Sequence, residues 1–449
     1  MLYDDVPVRD ALLAMSLTIA TAVEPAAAHQ ADQSVLVARA QEVVERLVSG
    51  DVEPLLPALT EKMKAVVDAN YLRRLIPALV AQVGPFKSQT GSRFESQGVM
   101  RVVLVSCAFE RATVEIRIAF DPVGRIGGLG SRPPESTVPY TTPVYVKASA
   151  FRDEAVIVDA GGWPLPGTVS MPAGSGPFPG VVLVHGSGPN DRDESIGPNK
   201  PFRDLAEGLA SRGIAVLRYD KRTRVHAARV APLGDFTVKE EVVDDAVAAA
   251  RTMRETNGIR ADRVFVLGHS LGGMLAPRIA AADPTIAGLI LMAAAVKPLE
   301  QAIVDQTRYM ALLDGKVTTE EQAALDAATK IATDVRALKP GDPPIVSTSF
   351  SVPASYWLDL RGYDPPSAAS RLKQPMLVLQ GERDYQVTMD DFAAWKTALG
   401  SRANVLLKSY PALNHLFIAG SGPSAPAEYG RPGHVDETVV RDIAAWITR

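Results

Sequence analysis

A single cysteine, Cys107, is the whole thiol content of this 449-residue chain, so no intrachain disulfide can form. In "VVLVSCAFE" it reads as a buried strand residue, a small inert hydrophobe rather than a reactive thiol. Histidine is sparse too: there are six, and no pair has zinc-ligand spacing, so neither a metal site nor another cofactor is expected. Charge of one sign never accumulates. The formal net charge is -4, with no Lys/Arg run and no RNA-binding signature, which argues against a nucleic-acid partner. No apolar run is long enough to serve as a mature membrane span. The glycines of "GRIGGLGSRPPESTVP" fit neither the dinucleotide fingerprint nor a P-loop.

What is present suits a globular chain of two or three units, with 47% apolar and 22% charged residues. Near the start, the apolar run "ALLAMSLTIATAV" (Ala11 to Val23) leads to Ala26-Ala27-Ala28, a small-residue cleavage pattern. Residues 1–28 are therefore expected to be a signal peptide and the protein periplasmic or secreted. Asp4, Asp5 and Asp10 against the lone Arg9 keep an ordinary N-terminal helix, and a cytoplasmic protein, as the alternative.

Two textures follow. From Ser34 to Gly50, Val35, Val37, Val43, Val44, Leu47 and Val48 predict an amphipathic helix, and a second helical stretch covers about 55–83. The period then changes to two in "MRVVLVSCAFERATVEIRIAFD", predicting an antiparallel hairpin with one buried face. Residues 35–130 thus read as a small α+β domain, with 131–153 as a Gly- and Pro-rich linker. From Glu154 onward, continuous apolar runs ("GVVLVH", "IAVLRYD", "VFVLGH", "AGLILMAAA", "PMLVLQG") alternate with helical patterns. That predicts a doubly wound, mostly parallel α/β sheet over 154–449, with ligands at the carboxyl ends of its strands. No convincing strand appears between Ala295 and Pro375, so 296–374 is expected to be a helical cap.

Chemistry concentrates at Gly268-His269-Ser270-Leu271-Gly272, which ends one buried run and opens a helix. A G-x-S-x-G in that setting is a nucleophile elbow, making Ser270 the expected nucleophile and the Leu271 N–H an oxyanion donor. Pro277 inside the following helix should bend it. The expected order is serine, acid, histidine. Only His415 and His434 lie downstream. His415, on a loop after the last strand run, is the expected base, and His434 belongs to the cap of a terminal helix. Asp384 in "VLQGERDYQV" directly follows a buried run and is the expected acid, with Glu382 as the alternative. Asp390 and Asp391 fall in the next helix and are expected to be solvated. The second oxyanion donor is assigned to Ser187 N–H in "HGSGPNDRDE", with Gly188 next in line and His185 shaping the loop. Asp191, Arg192 and Asp193 read equally as an ion-pair network or as turn decoration.

These residues resemble the α/β-hydrolase superfamily over 154–449, and the long "HGSGPNDRDE" with "YDKR" is similar to a bacterial carboxylesterase group with helical caps. In that group a domain of unknown role often precedes the hydrolase, and "MKAVV", "VGPFKS" and "FDPVGRIGGL" are similar to it. The resemblance implies triad roles for Ser270, Asp384 and His415; where the group continues "YDKR" into Gly-x-Gly, this chain has Thr223, Arg224 and Val225. The expected activity is hydrolysis of a small-molecule carboxylic ester through an acyl-enzyme, with thioester or amide cleavage as the alternative on the same triad. A non-catalytic binding protein of this fold is the rival from another class. Tyr309, Met310, Tyr356 and Trp357 of the cap are candidate lining for an apolar acyl or aryl group, or equally cap core.

Overall fold

The computed structural model describes residues 26–65, 67–97, 100–110, 112–132, 138–230, 233–347 and 351–449. Most of the expected leader lies outside them, and Ala26-Ala27-Ala28 stands at the start of helix α1 (Ala26–Ser49). Leu36, Ala40, Val43, Val44 and Leu47 form the buried stripe of α1, whereas Val35 is exposed. The phase set by Val43, Val44 and Leu47 runs back through Ala40 to Leu36, so the sequence expectation for Val35 is off by one residue.

Helix α2 (Ala69–Val83) and α1 cover one face of a four-stranded antiparallel sheet. Its strands are β1 (Phe86–Gln97), β2 (Met100–Phe109), β3 (Thr113–Phe120) and β4 (Ile126–Arg132), in that order. The expected hairpin is β2–β3, with Val103 opposite Ile118 and Cys107 opposite Val114. Cys107 is fully buried, and burial pushes its thiol up to about 12. Two expectations change. Val102, Leu104 and Ala119 form a small buried cluster on the second face of the sheet. The glycine-rich stretch 126–132, divided between domain and linker on composition, is strand β4, because its backbone completes the ladder beside β3.

The hydrolase-like region is built on eight strands: β5 (Phe151–Asp159), β6 (Pro164–Pro172), β7 (Phe178–Val184), β8 (Ala215–Tyr219), β9 (Ile259–His269), β10 (Leu289–Met292), β11 (Met376–Gly381) and β12 (Val405–Tyr410). They lie in the order β12-β11-β10-β9-β7-β8-β6-β5. β6 pairs antiparallel with both of its neighbours, β5 and β8, and β7 to β12 are mutually parallel. Alternate residues feed two cores: Val182, Val184, Val264 and Val266 on one face, Val181, Leu183, Phe265 and Leu267 on the other. Burial on both faces is why these strands read as unbroken apolar runs. The chain turns from β7 to β8 on one side and to β9 on the other, so the loops after β7 and β9 open side by side at a topological switch point.

Helices α3 (Pro201–Ala210), α4 (Asp245–Glu255) and α5 (Leu271–Ala282) connect the central strands. Pro277 is accommodated within α5, buried. Where the Gly-x-Gly would have followed "YDKR", Arg222–Val225 forms a short helical turn. The cap comprises α6 (Leu299–Ala311), α7 (Thr319–Ala337), α8 (Ala354–Leu360) and α9 (Pro365–Ser370). It also holds a hairpin of two very short strands, Ile345–Val346 and Ser351–Val352, separate from the main sheet. Helix α10 (Met389–Leu399) follows β11, and α11 (Glu437–Ile447) closes the second core. Among the described residues no helix is long and apolar enough to cross a membrane.

Candidate active site

Ser270 sits between β9 and α5 with φ 53° and ψ -116°, a backbone conformation that L-residues rarely adopt. The turn is tight because its flanks have no side chains. A Cβ on Gly268 would meet Gly272 O, with Gly273 N at 2.6 Å; one on Gly272 would press on Val184 O and lie 2.7 Å from His185 O. These are backbone atoms that cannot move aside, so both motif glycines are steric requirements. The Ser270 N–H donates to Met292 O at 2.9 Å, fixing the turn to β10. As the first residue of α5, Leu271 carries an N–H with no intrahelical acceptor, free to meet negative charge.

The expected acid and base meet. His415 Nδ1 lies 2.7 Å from Asp384 Oδ2, and both residues are buried. Asp384 Oδ1 accepts the Gln386 and Val387 N–H groups at 2.8 and 3.0 Å, so the carboxylate is oriented from both ends. Asp384 can hold Nδ1 protonated and leave Nε2 as the basic nitrogen. Ser270 Oγ makes no hydrogen bond to His415 among the described residues; such bonds commonly tighten only around substrate. Glu382 faces outward, accepting from Ser409. His434 is remote from this cluster, between Asp204 and Thr141.

The loop after β7 approaches Ser270 closely. A Cβ on Gly186 would stand 3.1 Å from Ser270 Cβ. The Gly186 N–H is taken by Glu194 Oε1 at 2.6 Å, and Gly186 O accepts from Lys221 Nζ and Asn190 Nδ2. The next N–H, that of Ser187, has no acceptor among the described residues. His185 is buried between Phe202 and Tyr219, and burial holds its imidazole down at about 4, so it is neutral. Arg192 grips Asp220 with two nitrogens, and Asp193 pairs with Arg218 and Lys200. Arg192 and Asp193 thus belong to an ion-pair network that holds the loop to other segments, whereas Asp191 decorates the turn, its Oδ1 accepting the Asp193 and Ser195 N–H groups.

Two residues stand apart from expectation. Asp391 is buried, not solvated: it caps α10 with Thr388 and accepts the Val296 and Lys297 N–H groups at the root of the cap. Glu194, the last residue of the charged run, is fully buried at φ 51° and 2.9 Å from His269 Nδ1. Its only sequence signal is an acid eight residues past Gly186, whose partner lies at the elbow, 75 residues further along the chain.

The cap candidates separate. Tyr309 on α6 stacks on Tyr385, the neighbour of Asp384, with ring centres 4.9 Å apart, and its hydroxyl donates to Ser424 O. Met310, next to it, is half-buried. Tyr356 is buried with its hydroxyl on Glu241 at 2.7 Å. Trp357 belongs to the cap core and lines a cleft of about 320 Å³ with Met274, Leu299, Arg336, Leu360 and Tyr363. Met274 lies one turn past Ser270 on α5, so this cleft backs onto the elbow helix. No group of three or more His, Cys, Asp or Glu that could hold a metal occurs among the described residues.

A family described as serine aminopeptidase, S33, matches residues 181–421, and a family of unknown function (DUF3887) matches 40–129. The chain is 38% identical over 406 residues to esterase EstD of Thermotoga maritima, spanning 90% of this chain and 94% of that protein. Among solved structures, Est1E from Butyrivibrio proteoclasticus with bound ferulic acid overlaps 66% of this chain and 100% of its own, at 17% identity and a TM-score of 0.44. An esterase from Pyrobaculum calidifontis overlaps 66% of this chain and 84% of its own, at 18% identity and a TM-score of 0.42.

Proposed function

The chain belongs to the serine aminopeptidase (S33) family of the α/β-hydrolase superfamily, and from that premise we propose that it hydrolyses carboxylic esters through an acyl-enzyme on Ser270. Ser270 Oγ attacks the ester carbonyl while His415 Nε2 takes its proton, and Asp384 stabilises the imidazolium through Nδ1–H. The Leu271 and Ser187 N–H groups receive the oxyanion. Collapse of the tetrahedral intermediate breaks the acyl–oxygen bond, and His415 returns the proton to the departing alcohol. Water, activated by the same imidazole, then attacks the acyl carbonyl and regenerates Ser270.

The observation that carries this is the strained Ser270 beside a loop N–H that has no acceptor among the described residues, with a buried Asp384–His415 pair in the same region. The esterase name of a relative matched over nearly its whole length supports ester over other acyl substrates. The family description favours amides, so anilides and thioesters belong in the same assay. Tyr309 and the cleft beside Trp357 support an apolar acyl or aryl group. The apolar run Ala11 to Val23 supports export, which N-terminal sequencing of the mature protein checks.

A fluorophosphonate probe should label the wild type on Ser270, and p-nitrophenyl esters should be turned over by the wild type but not by Ser270→Ala. Equal rates for the two proteins would refute the mechanism.

A further inference from the structure

Behind the elbow, Glu194 and His269 join three segments that the proposed reaction needs at fixed spacing. Glu194 Oε1 accepts the Gly186 N–H at 2.6 Å, in the oxyanion loop. Its Oε2 lies 2.9 Å from Nδ1 of His269, the residue before Ser270, as a close ionic contact rather than an aligned hydrogen bond. His269 Nε2 in turn lies 3.0 Å from His415 O, and the two imidazole rings are 4.6 Å apart. A carbonyl can only accept, so Nε2 carries a proton, while Nδ1 faces a carboxylate; both ring nitrogens are placed for a cation.

Other titratable groups frame the pair. Neutral His185 lies beside Glu194 and has Asp191 and Lys221 near it in turn, and Asp384 approaches His269 from the loop after β11. Burial opposes charge on both members. The His269 imidazole is nonetheless raised above its ordinary value by Glu194 and the His415 carbonyl, and Glu194 is lowered by His269 and the Gly186 N–H. Glu194 also holds a left-handed backbone at φ 51°, unfavourable for a residue with a Cβ. A strained, fully buried carboxylate that touches two functional segments and reaches a third through His269 is an expensive way to fill a core.

We propose that Glu194 and His269 are a positioning pair that sets the oxyanion loop and the backbone of His415 relative to Ser270. The pair rests on the esterase mechanism above and touches no reacting atom. It acts through Gly186, which fixes where the Ser187 N–H stands, and through His415 O, which fixes how far the base reaches. Neutralising the carboxylate loosens both at once, so the loss falls on the chemical step rather than on substrate binding.

The test is a double-mutant cycle on p-nitrophenyl ester hydrolysis with Glu194→Gln, His269→Gln and both together, alongside thermal unfolding. Each single variant should lose about 100-fold in kcat, the scale of one misplaced oxyanion donor, with KM within about threefold. The double variant should be no worse than the poorer single one within about threefold, because one linkage is broken either way. Folded single variants with kcat within about threefold of wild type would overturn the proposal, as would losses that multiply. Where Glu194→Gln does not fold, Glu194→Asp keeps the charge but withdraws it by one methylene. A tenfold lower kcat is then expected, and wild-type kcat sinks the idea. If Ser270→Ala kept wild-type turnover, the esterase mechanism itself would fail, a result distinct from failure of the pair.

Discussion

Asp384 and His415 come from loops 31 residues apart in the chain, and their side chains meet at 2.7 Å out of reach of solvent. Two backbone N–H groups fix Asp384 Oδ1, so the carboxylate has one way to face the imidazole. In Asp384→Asn the amide oxygen would stay on those N–H groups and the NH2 would face Nδ1. The imidazole would then carry its proton on Nε2, where it cannot accept from Ser270. A loss of about 10⁴-fold in kcat is expected, with a lower thermal midpoint because the new NH2 also faces the buried Gln380 Nε2 that donates to Asp384 Oδ2. Steady-state kinetics check it, and a loss below about tenfold would contradict the assigned acid.

Gly272 is a steric requirement of the elbow. Gly272→Ala drives a Cβ onto Val184 O and His185 O, which belong to the central strand and its exit loop. The strand cannot yield without moving the loop after β7, so the expected cost is about 1–3 kcal/mol or more, together with loss of activity. Thermal unfolding and ester turnover measure both; wild-type values for each would show that the elbow is looser than it stands here.

Tyr356 and Tyr309 separate packing from substrate contact. Tyr356→Phe removes a buried hydroxyl from Glu241, which keeps Thr223 and Lys221 as partners, so about 1–2 kcal/mol of stability should go with kcat unchanged. Tyr309→Ala removes the ring stacked on Tyr385 and should raise KM for aryl esters more than for short acyl esters. A KM change on Tyr356→Phe without a stability change would reverse these roles.

His185 gives the hydrolase-like region a specific acid sensitivity. Its folded value, about 4, lies below the ordinary 6.5, so the unfolded chain binds the extra proton between those values. Stability from this group is present above pH 6.5 and is lost as pH falls towards 4, an order of magnitude of about 2–3 kcal/mol between pH 7 and 4.5. His269, shifted upward, works in the opposite sense: the stability it contributes is complete below pH 6.5 and is lost as pH rises above it, so it offsets the His185 effect only at the upper end of the window. All four tryptophans (Trp163, Trp357, Trp395 and Trp446) lie in the hydrolase-like region, so urea unfolding followed by their fluorescence reports on it alone. His185→Asn should flatten the fall between pH 7 and 4.5; an unchanged slope assigns it to other groups.

The strand series, the Ser270 turn and the chain order of Ser270, Asp384 and His415 are legible residue by residue, because each depends on local pattern. A strand buried on both faces must be apolar throughout, and a strand-to-helix turn this tight must have glycine where backbones touch. Asp384 was legible only because it directly follows such a run. Long-range folding places Asp391 in the interior against Val296 and Lys297, pairs the glycines of 126–132 into a strand, and sets Tyr356 against Glu241. It alone brought Glu194 to His269. A charge in a polar run reads as solvated until the fold supplies a partner from a distant segment, and what buries it is long-range packing, which local spacing does not encode.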